Sequence, residues 1–321
     1  MSKVISIAHP NFALIKYWGK ADLKSNTPAM SSISLTIDTL SSTTKISKNR
    51  QTNENIWILN GKKQEQMRQL DPTLEYLNRI SNYTSGCIIE SNNNFPTSAG
   101  LASSASGIAS LVTAYDRLFG LNLKLDSLVQ ASILGSGSAP RSLLGGFVIL
   151  DAEIGLNCET ICQPEDWPLS VLICITDYKE KTISSREGME ISRKTSPLYK
   201  SWLDSNKKDI QTAKAAIDEK SFNNLGEVAE KNCYKMLEVM KSSDPSINYL
   251  SKQTIDCINK VRKIRDKGVD LFYTLDAGPQ LKIICKPEDK ETIKRDLEKH
   301  PSVLSLVEAN IGFGARVINE S

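Results

Sequence analysis

Histidine is nearly missing from this chain, with two among 321 residues, His9 and His300, far apart in sequence. That is too few and too scattered for a zinc site. The seven cysteines, at 87, 158, 162, 174, 233, 257 and 285, are odd in number and form no C-x-x-C pair. A disulfide framework is therefore not expected, and reduced thiols of a cytoplasmic protein are. No apolar run approaches the roughly 18–20 residues that span a bilayer. The start, Met1 to Ile7, runs directly into patterned sequence, so no leader segment is expected. Charge of one sign is lacking too: 40 Lys and Arg against 37 Asp and Glu leave +3. Such a balance argues against nucleic acid or a membrane surface as partner. Anionic ligands must be met by local basic clusters. Repeats, low-complexity tracts and long linkers are absent as well.

What is present fits a soluble globular chain, with 40% apolar and 24% charged residues. Its length allows a large core and two lobes, expected at 1–180 and 181–321. Period-2 patterns predict strands at 4–8, 32–39, 42–47, 55–59 and 87–91, with a hairpin turn at Asn60-Gly61. Helical spacing predicts helices over 64–80, 101–119 and 125–134, and over most of 188–239. Further strands are expected at 146–150 and 170–177, and as a pair at 271–276 and 281–286. The pattern then predicts a helix at 254–267, another at 288–299 and a last strand at 302–310. Mixed elements with several hairpins point to an α+β fold rather than a doubly wound sheet.

Four segments carry candidate chemistry. Asn92–Gly107 (NNNFPTSAGLASSASG) sets a Ser/Gly loop before a strong helix. Unpaired N–H groups and a positive dipole end make a helix start an anion site. Gly100 permits close approach of backbone to a phosphate. Ser103, Ser104 and Ser106 can donate hydroxyl hydrogen bonds or sit near Mg²⁺. No Gly-Lys-Ser/Thr follows, so this is no Walker A loop. The same residues also suit an ordinary N-cap with tight helix packing. Gly135–Gly146 (GSGSAPRSLLGG) offers backbone and hydroxyl donors beside Arg141, whose planar fork suits carboxylate or phosphate; a flexible loop with one solvated arginine is the alternative. In Asn11–Asp22 (NFALIKYWGKAD) two lysines flank Tyr17-Trp18, and a strand with core aromatics and surface lysines is the reading favoured from the residues alone. In Tyr273–Pro279 (YTLDAGP) Asp276 closes a strand at a Gly-Pro turn, a place where Asp most often serves the turn itself.

Taken together, the segments 8–22, 28–38, 93–107, 135–147, 184–189 (SSREGM) and 273–279 resemble the GHMP kinase superfamily. Within it they resemble the mevalonate diphosphate decarboxylases, of bacterial type. IKYWGK with NNFPTSAGLASSAS is highly specific, and the likeness covers roughly residues 8–286. The resemblance implies an N-terminal lobe like the second domain of ribosomal protein S5 and a ferredoxin-like C-terminal lobe. It implies ATP-dependent decarboxylation of mevalonate 5-diphosphate to isopentenyl diphosphate, with ATP and Mg²⁺ required. It also implies a homodimer. A decarboxylase of mevalonate 5-phosphate, a 3-kinase that stops after phosphorylation and a non-catalytic sensor stay open beside it.

By the same resemblance, Asp276 faces the 3-hydroxyl as base or orienter, Arg141 clamps the carboxylate and Asn11 orients Arg141. Lys16 lies close to Asp276. Ser104 stands near the transferred phosphate and Mg²⁺. The 5-diphosphate meets Tyr17, Lys20, Ser136, Gly137, Ser138, Ser185 and Arg186. ATP lies against Pro96, Ser98, Gly100, Leu101, Ala102, Ser103, Ser104 and Ser106, with Asn26 near the nucleotide. Trp18 is expected in the wall or core. Ala21, Met30, Pro140, Leu237 and Gln280 depart from the family's usual residues.

Overall fold

The computed structural model describes residues 2–67, 69–95, 100–153, 155–179 and 181–320. Among these, three larger sheets and nine helices make an α+β architecture. The first sheet has six strands in the order 316–320, 3–8, 42–48, 87–93, 56–59 and 62–63. Only the 56–59 strand runs parallel to a neighbour, the 87–93 strand. The second sheet orders 157–162, 147–151, 32–36 and 11–15, all antiparallel. The third orders 271–274, 281–285, 170–175 and 305–310, also antiparallel.

The helices are α1 (Asp71–Ser81), α2 (Ser103–Phe119), α3 (Leu125–Gly135), α4 (Pro140–Leu143), α5 (Ser185–Thr195), α6 (Tyr199–Asp218), α7 (Phe222–Lys241), α8 (Lys252–Arg265) and α9 (Lys290–Glu298). Local chemistry sets their ends. Gly120 closes α2 in the left-handed region at φ 60°. Ser184 caps α5 by accepting from the N–H of Glu187. Ser251 and Thr254 form a reciprocal capping box on α8. The helix expected from residue 64 begins only at Asp71, because Pro72 suits a first turn and not an interior.

Two strands were not legible in the sequence. Asn157–Cys162 buries only Cys158, and Arg316–Glu320 is a largely exposed edge rich in polar side chains. Neither shows a clean alternation. The last strand nevertheless returns the chain to the first sheet, against Lys3–Ala8.

One apolar cluster joins the halves. It runs from Phe12, Ile33 and Phe147 of the second sheet through Ala213, Ile217 and Leu225 of α6 and α7 to Ile173 and Ile284 of the third. Burial of this continuous surface holds the end of strand 11–15 against the turn that follows strand 271–274.

Candidate active site

Strand Asn11–Ile15 is buried along its whole length, and its register slips between Ala13 and Ile15. The chain leaves it with Lys16 buried (1% exposed), not on the surface as the residues alone suggested. A buried ammonium needs a partner, and Lys16 Nζ finds Asp276 Oδ1 at 2.8 Å and the carbonyl of Ala13 at 2.7 Å. A second fully buried lysine, Lys282, lies 3.2 Å from Asp276 Oδ2. Its Nζ also donates to the carbonyl of Gly100 at 2.9 Å and stands over the Phe12 ring.

Asp276 thus sits between two cations. Burial pushes its carboxyl up, but Lys16 and Lys282 outweigh that and hold it well below the usual carboxylate range. The stability that this ionisation contributes is present above the unfolded carboxyl pKa and is lost only as pH falls toward the depressed value. Burial and Lys16 together lower Lys282, while Asp276 raises it. Asp276 Oδ2 accepts no hydrogen bond from the described residues. That oxygen is buried beside the Lys282 ammonium, which it meets as an ion pair.

The glycine loop meets this turn. Gly100 has φ 76°, and a Cβ there would fall 2.9 Å from Gly278 Cα, two residues beyond Asp276. Next to it α2 begins without a side-chain cap, Ala102 standing in the left-handed region at φ 55°. Among the described residues no side chain caps its first N–H groups, which can therefore meet an anion. Ser104 is exposed there, and its Oγ lies 3.3 Å from Ser136 Oγ, which lies 3.3 Å from Ser138 Oγ. A row of hydroxyls thus links the helix start to the second loop.

Arg141, expected either in a loop or as a fork, rides on α4 and is 2% exposed. Its Nε donates to Asn11 Oδ1 at 3.2 Å and Ser34 Oγ at 3.0 Å, and its Nη1 donates to Ser32 Oγ. Asn11 is itself aimed by donating to Ser138 O and Ser142 Oγ at 3.0 and 2.8 Å. Every partner of the guanidinium here is neutral. Burial lowers its pKa to about 10, so it stays a cation at neutral pH.

A third cationic group surrounds Asn26. Lys20 (5% exposed) and Arg186 both donate to Asn26 Oδ1, while Asn26 Nδ2 donates to Ile133 O at 2.6 Å. Burial, then repulsion from Arg186, lowers Lys20 to about 8. Asn26, expected near the nucleotide, organises these cations. Tyr17 Oη is buried with no partner among the described residues, and a Cβ on Gly137 would lie 2.6 Å from it. Glycine at 137 therefore lets the loop approach the phenol. Ser185 Oγ accepts from Lys181 Nζ at 2.9 Å.

Some expected contacts change. Ser106 points inward, 2.7 Å from Ser42 Oγ and fully buried, so it does not reach a ligand at the helix start. Leu101 and Ala102 pack into the core, which leaves only their main chain for a nucleotide. Pro96 and Ser98 lie outside the described residues. Trp18 is core, donating to Ser192 Oγ at 3.0 Å. Ala21 is exposed, and Met30 and Leu237 pack apolar clusters. Gln280 locks the turn by accepting from the N–H of Thr176 at 2.8 Å. Lys282 was missed: its alternating position in a strand reads as solvent-facing, and only the pairing with Asp276 reveals it.

A mixed α+β chain whose glycine–serine helix start meets a lysine-bound carboxylate has the GHMP kinase-like fold. Comparison narrows this. The Diphosphomevalonate decarboxylase-like N-terminal domain matches residues 8–159, and the Mevalonate 5-diphosphate decarboxylase C-terminal domain matches 171–309. A diphosphomevalonate decarboxylase of Ganoderma lucidum is 35% identical over 90% of this chain and 78% of its own. The mevalonate diphosphate decarboxylase from Enterococcus faecalis superposes with TM-score 0.91 at 34% identity, covering 99% of each chain. MDDEF in complex with MVAPP, AMPPCP and magnesium gives TM-score 0.92 at 34% identity and the same coverage. The chain belongs to the diphosphomevalonate decarboxylase family.

Two outcomes follow from the site. Lys282→Met removes one of the cations on Asp276, so the carboxyl pKa rises and the acid limb of the kcat/KM profile moves to higher pH, with kcat down roughly 10²-fold. An unmoved limb contradicts the pairing. Separately, as pH rises through about 8 the Lys20 ammonium is lost, so KM for a polyanionic substrate climbs while kcat holds. A pH-independent KM between about 7 and 9 contradicts a charged role for Lys20.

Proposed function

We propose that the chain catalyses ATP-dependent decarboxylation of mevalonate 5-diphosphate to isopentenyl diphosphate, releasing ADP, phosphate and CO₂. The observation that carries this is Arg141, a buried guanidinium held by neutral partners and close enough to Asp276 for their charges to interact. A buried cation whose described hydrogen-bond partners are all neutral calls for an anion from the ligand. The substrate carboxylate fits, held as an ion and so ready to leave as CO₂.

The other residues take roles that match their surroundings. Tyr17, Lys20, Arg186, Ser136, Gly137 and Ser138 would receive the 5-diphosphate, with Ser185 beside them. The open start of α2, with Gly100, Ser103 and Ser104, would receive the nucleotide phosphates. The described residues contain no cluster of acidic or histidine side chains that could hold a metal. Mg²⁺ would therefore be held by nucleotide phosphates with the Ser104 hydroxyl, and it would neutralise phosphate charge there. The complex of MDDEF with MVAPP, AMPPCP and magnesium supports this pairing of ligands.

Asp276 would accept a hydrogen bond from the 3-hydroxyl and point its oxygen at the γ-phosphate, and the hydroxyl proton would pass to the transferred phosphoryl group and leave with it as phosphate. Its depressed pKa makes it a weak base, because a general base works best with a pKa near the operating pH. Its larger contribution is orientation, then stabilisation of positive charge at C3 as the phosphorylated oxygen departs. The electron pair of the C1–C2 bond then closes the C2–C3 double bond and CO₂ leaves from the Arg141 clamp. Lys16 and Lys282 keep Asp276 ionised throughout. In this account the two lobes divide between Cys162 and Ser170, since Ser170–Ile175 lies inside the third sheet. A cytoplasmic homodimer completes the proposal.

The test supplies MgATP with mevalonate, its 5-phosphate or its 5-diphosphate and quantifies ADP and CO₂. Equal amounts with the 5-diphosphate alone are expected. ADP without CO₂ would make the chain a kinase, and turnover with the 5-phosphate alone would reassign the substrate. Asp276→Ala is expected to lower both products together by roughly 10²–10⁴.

A further inference from the structure

Lys16 lies just past its strand, from which its ammonium takes one acceptor, the Ala13 carbonyl. Register slips just before it, and its main-chain N–H goes to a side chain, Asn232 Oδ1, at 2.7 Å. Asn232 projects from α7 and is fully buried. The other end of its amide, Nδ2, donates to Asp209 Oδ2 at 2.8 Å. Asp209, on α6, is gripped by Lys235 Nζ at 2.9 and 2.8 Å, and Lys235 also donates to Ser205 Oγ at 3.2 Å. The orientation of the amide is forced. An ionised carboxylate only accepts hydrogen bonds, so Nδ2 must face Asp209 and Oδ1 must face Lys16.

A chain of polar contacts therefore runs inward from the surface through Lys235, Asp209 and Asn232 to the main chain of Lys16, whose ammonium ends on Asp276. Each link is buried or half-buried, and each amide atom of Asn232 is used. Apolar packing alone does not need this arrangement, since burying an amide and a carboxylate carries a desolvation cost.

We propose that Asn232, oriented by Asp209 and Lys235, is a positioning residue that fixes the Lys16 main chain and so aims its ammonium at Asp276. This rests on the role given above to Asp276. Asn232 touches no reacting atom. Its loss should lower kcat through misdirection of Lys16 while leaving the phosphate-binding groups in place.

The experiment is a charge swap read by steady-state kinetics and thermal melting. Asn232→Asp sets two carboxylates against each other, with Lys235 on one side and Lys16, Asp276 and Lys282 on the other. At pH 8 kcat is expected to fall on the order of 10- to 100-fold, with both KM values within about twofold. The loss should shrink as pH falls, because a proton shared by the pair restores a donor toward Asp209. The double variant Asn232→Asp with Asp209→Asn restores one donor and one acceptor between the two positions, and should recover most of kcat. Wild-type kcat and pH profile in Asn232→Asp would overturn the proposal, as would a loss that the double variant does not relieve. Loss that tracks melting alone would assign Asn232 to stability instead and equally overturn it. Asp276→Ala measured alongside separates the two levels. Full turnover there sinks the functional reading, whereas an inactive Asp276→Ala beside a fully active Asn232→Asp sinks only the positioning claim.

Discussion

The site depends on one ionic contact: a carboxylate, Asp276, held between two ammonium groups that the fold removes from water. Lys16 comes from the end of a strand in the second sheet, and Lys282 comes from the third. Burying three charges together is tolerable only when the geometry is good and the remaining donors are satisfied. Ala13 and Gly100 supply those acceptors. The triplet therefore constrains both halves of the chain at once. It also leaves Asp276 ionised, with one lysine on each of its oxygens.

Other features arrange themselves around that contact. Lys282 ties Asp276 to the glycine loop, so the start of α2 and the carboxylate cannot move independently. Thr176 and Thr254 both donate to the carbonyl of Pro279, and Gln280 bonds the strand beyond, which makes the turn after Asp276 rigid. Arg141 faces the same region with a fork aligned by Asn11, Ser32 and Ser34. Phosphoryl transfer needs mainly positioning and charge neutralisation, and this arrangement supplies both.

Much of this was legible in the sequence because its motifs are local. The strand–turn–strand around Asp276 and the helix after Gly100 stand where their patterns put them, whereas Arg141, read in a loop, rides on α4. What could not be read was burial. Lys16 and Lys20 look like surface lysines until a distant carboxylate and a distant arginine are brought to them. Lys282 looks like an ordinary strand residue for the same reason. Ser106 shows the opposite case: a helix period places it inward, and the serine-rich run around it hid that. Asn232 carries no sequence signal, since its partners lie 216 and 23 positions away.

The central claim is that Asp276 is a carboxylate fixed by its lysines and not a base poised near neutrality. The direct measurement is a ¹³C titration of aspartate-labelled protein, with the Asp276 resonance assigned by its absence from Asp276→Asn. The account predicts a shift typical of the ionised form, unchanged at every pH from about 4 to 9. A titration step for that resonance between about pH 5 and 8 would contradict it and would return Asp276 to the role of a tuned general base.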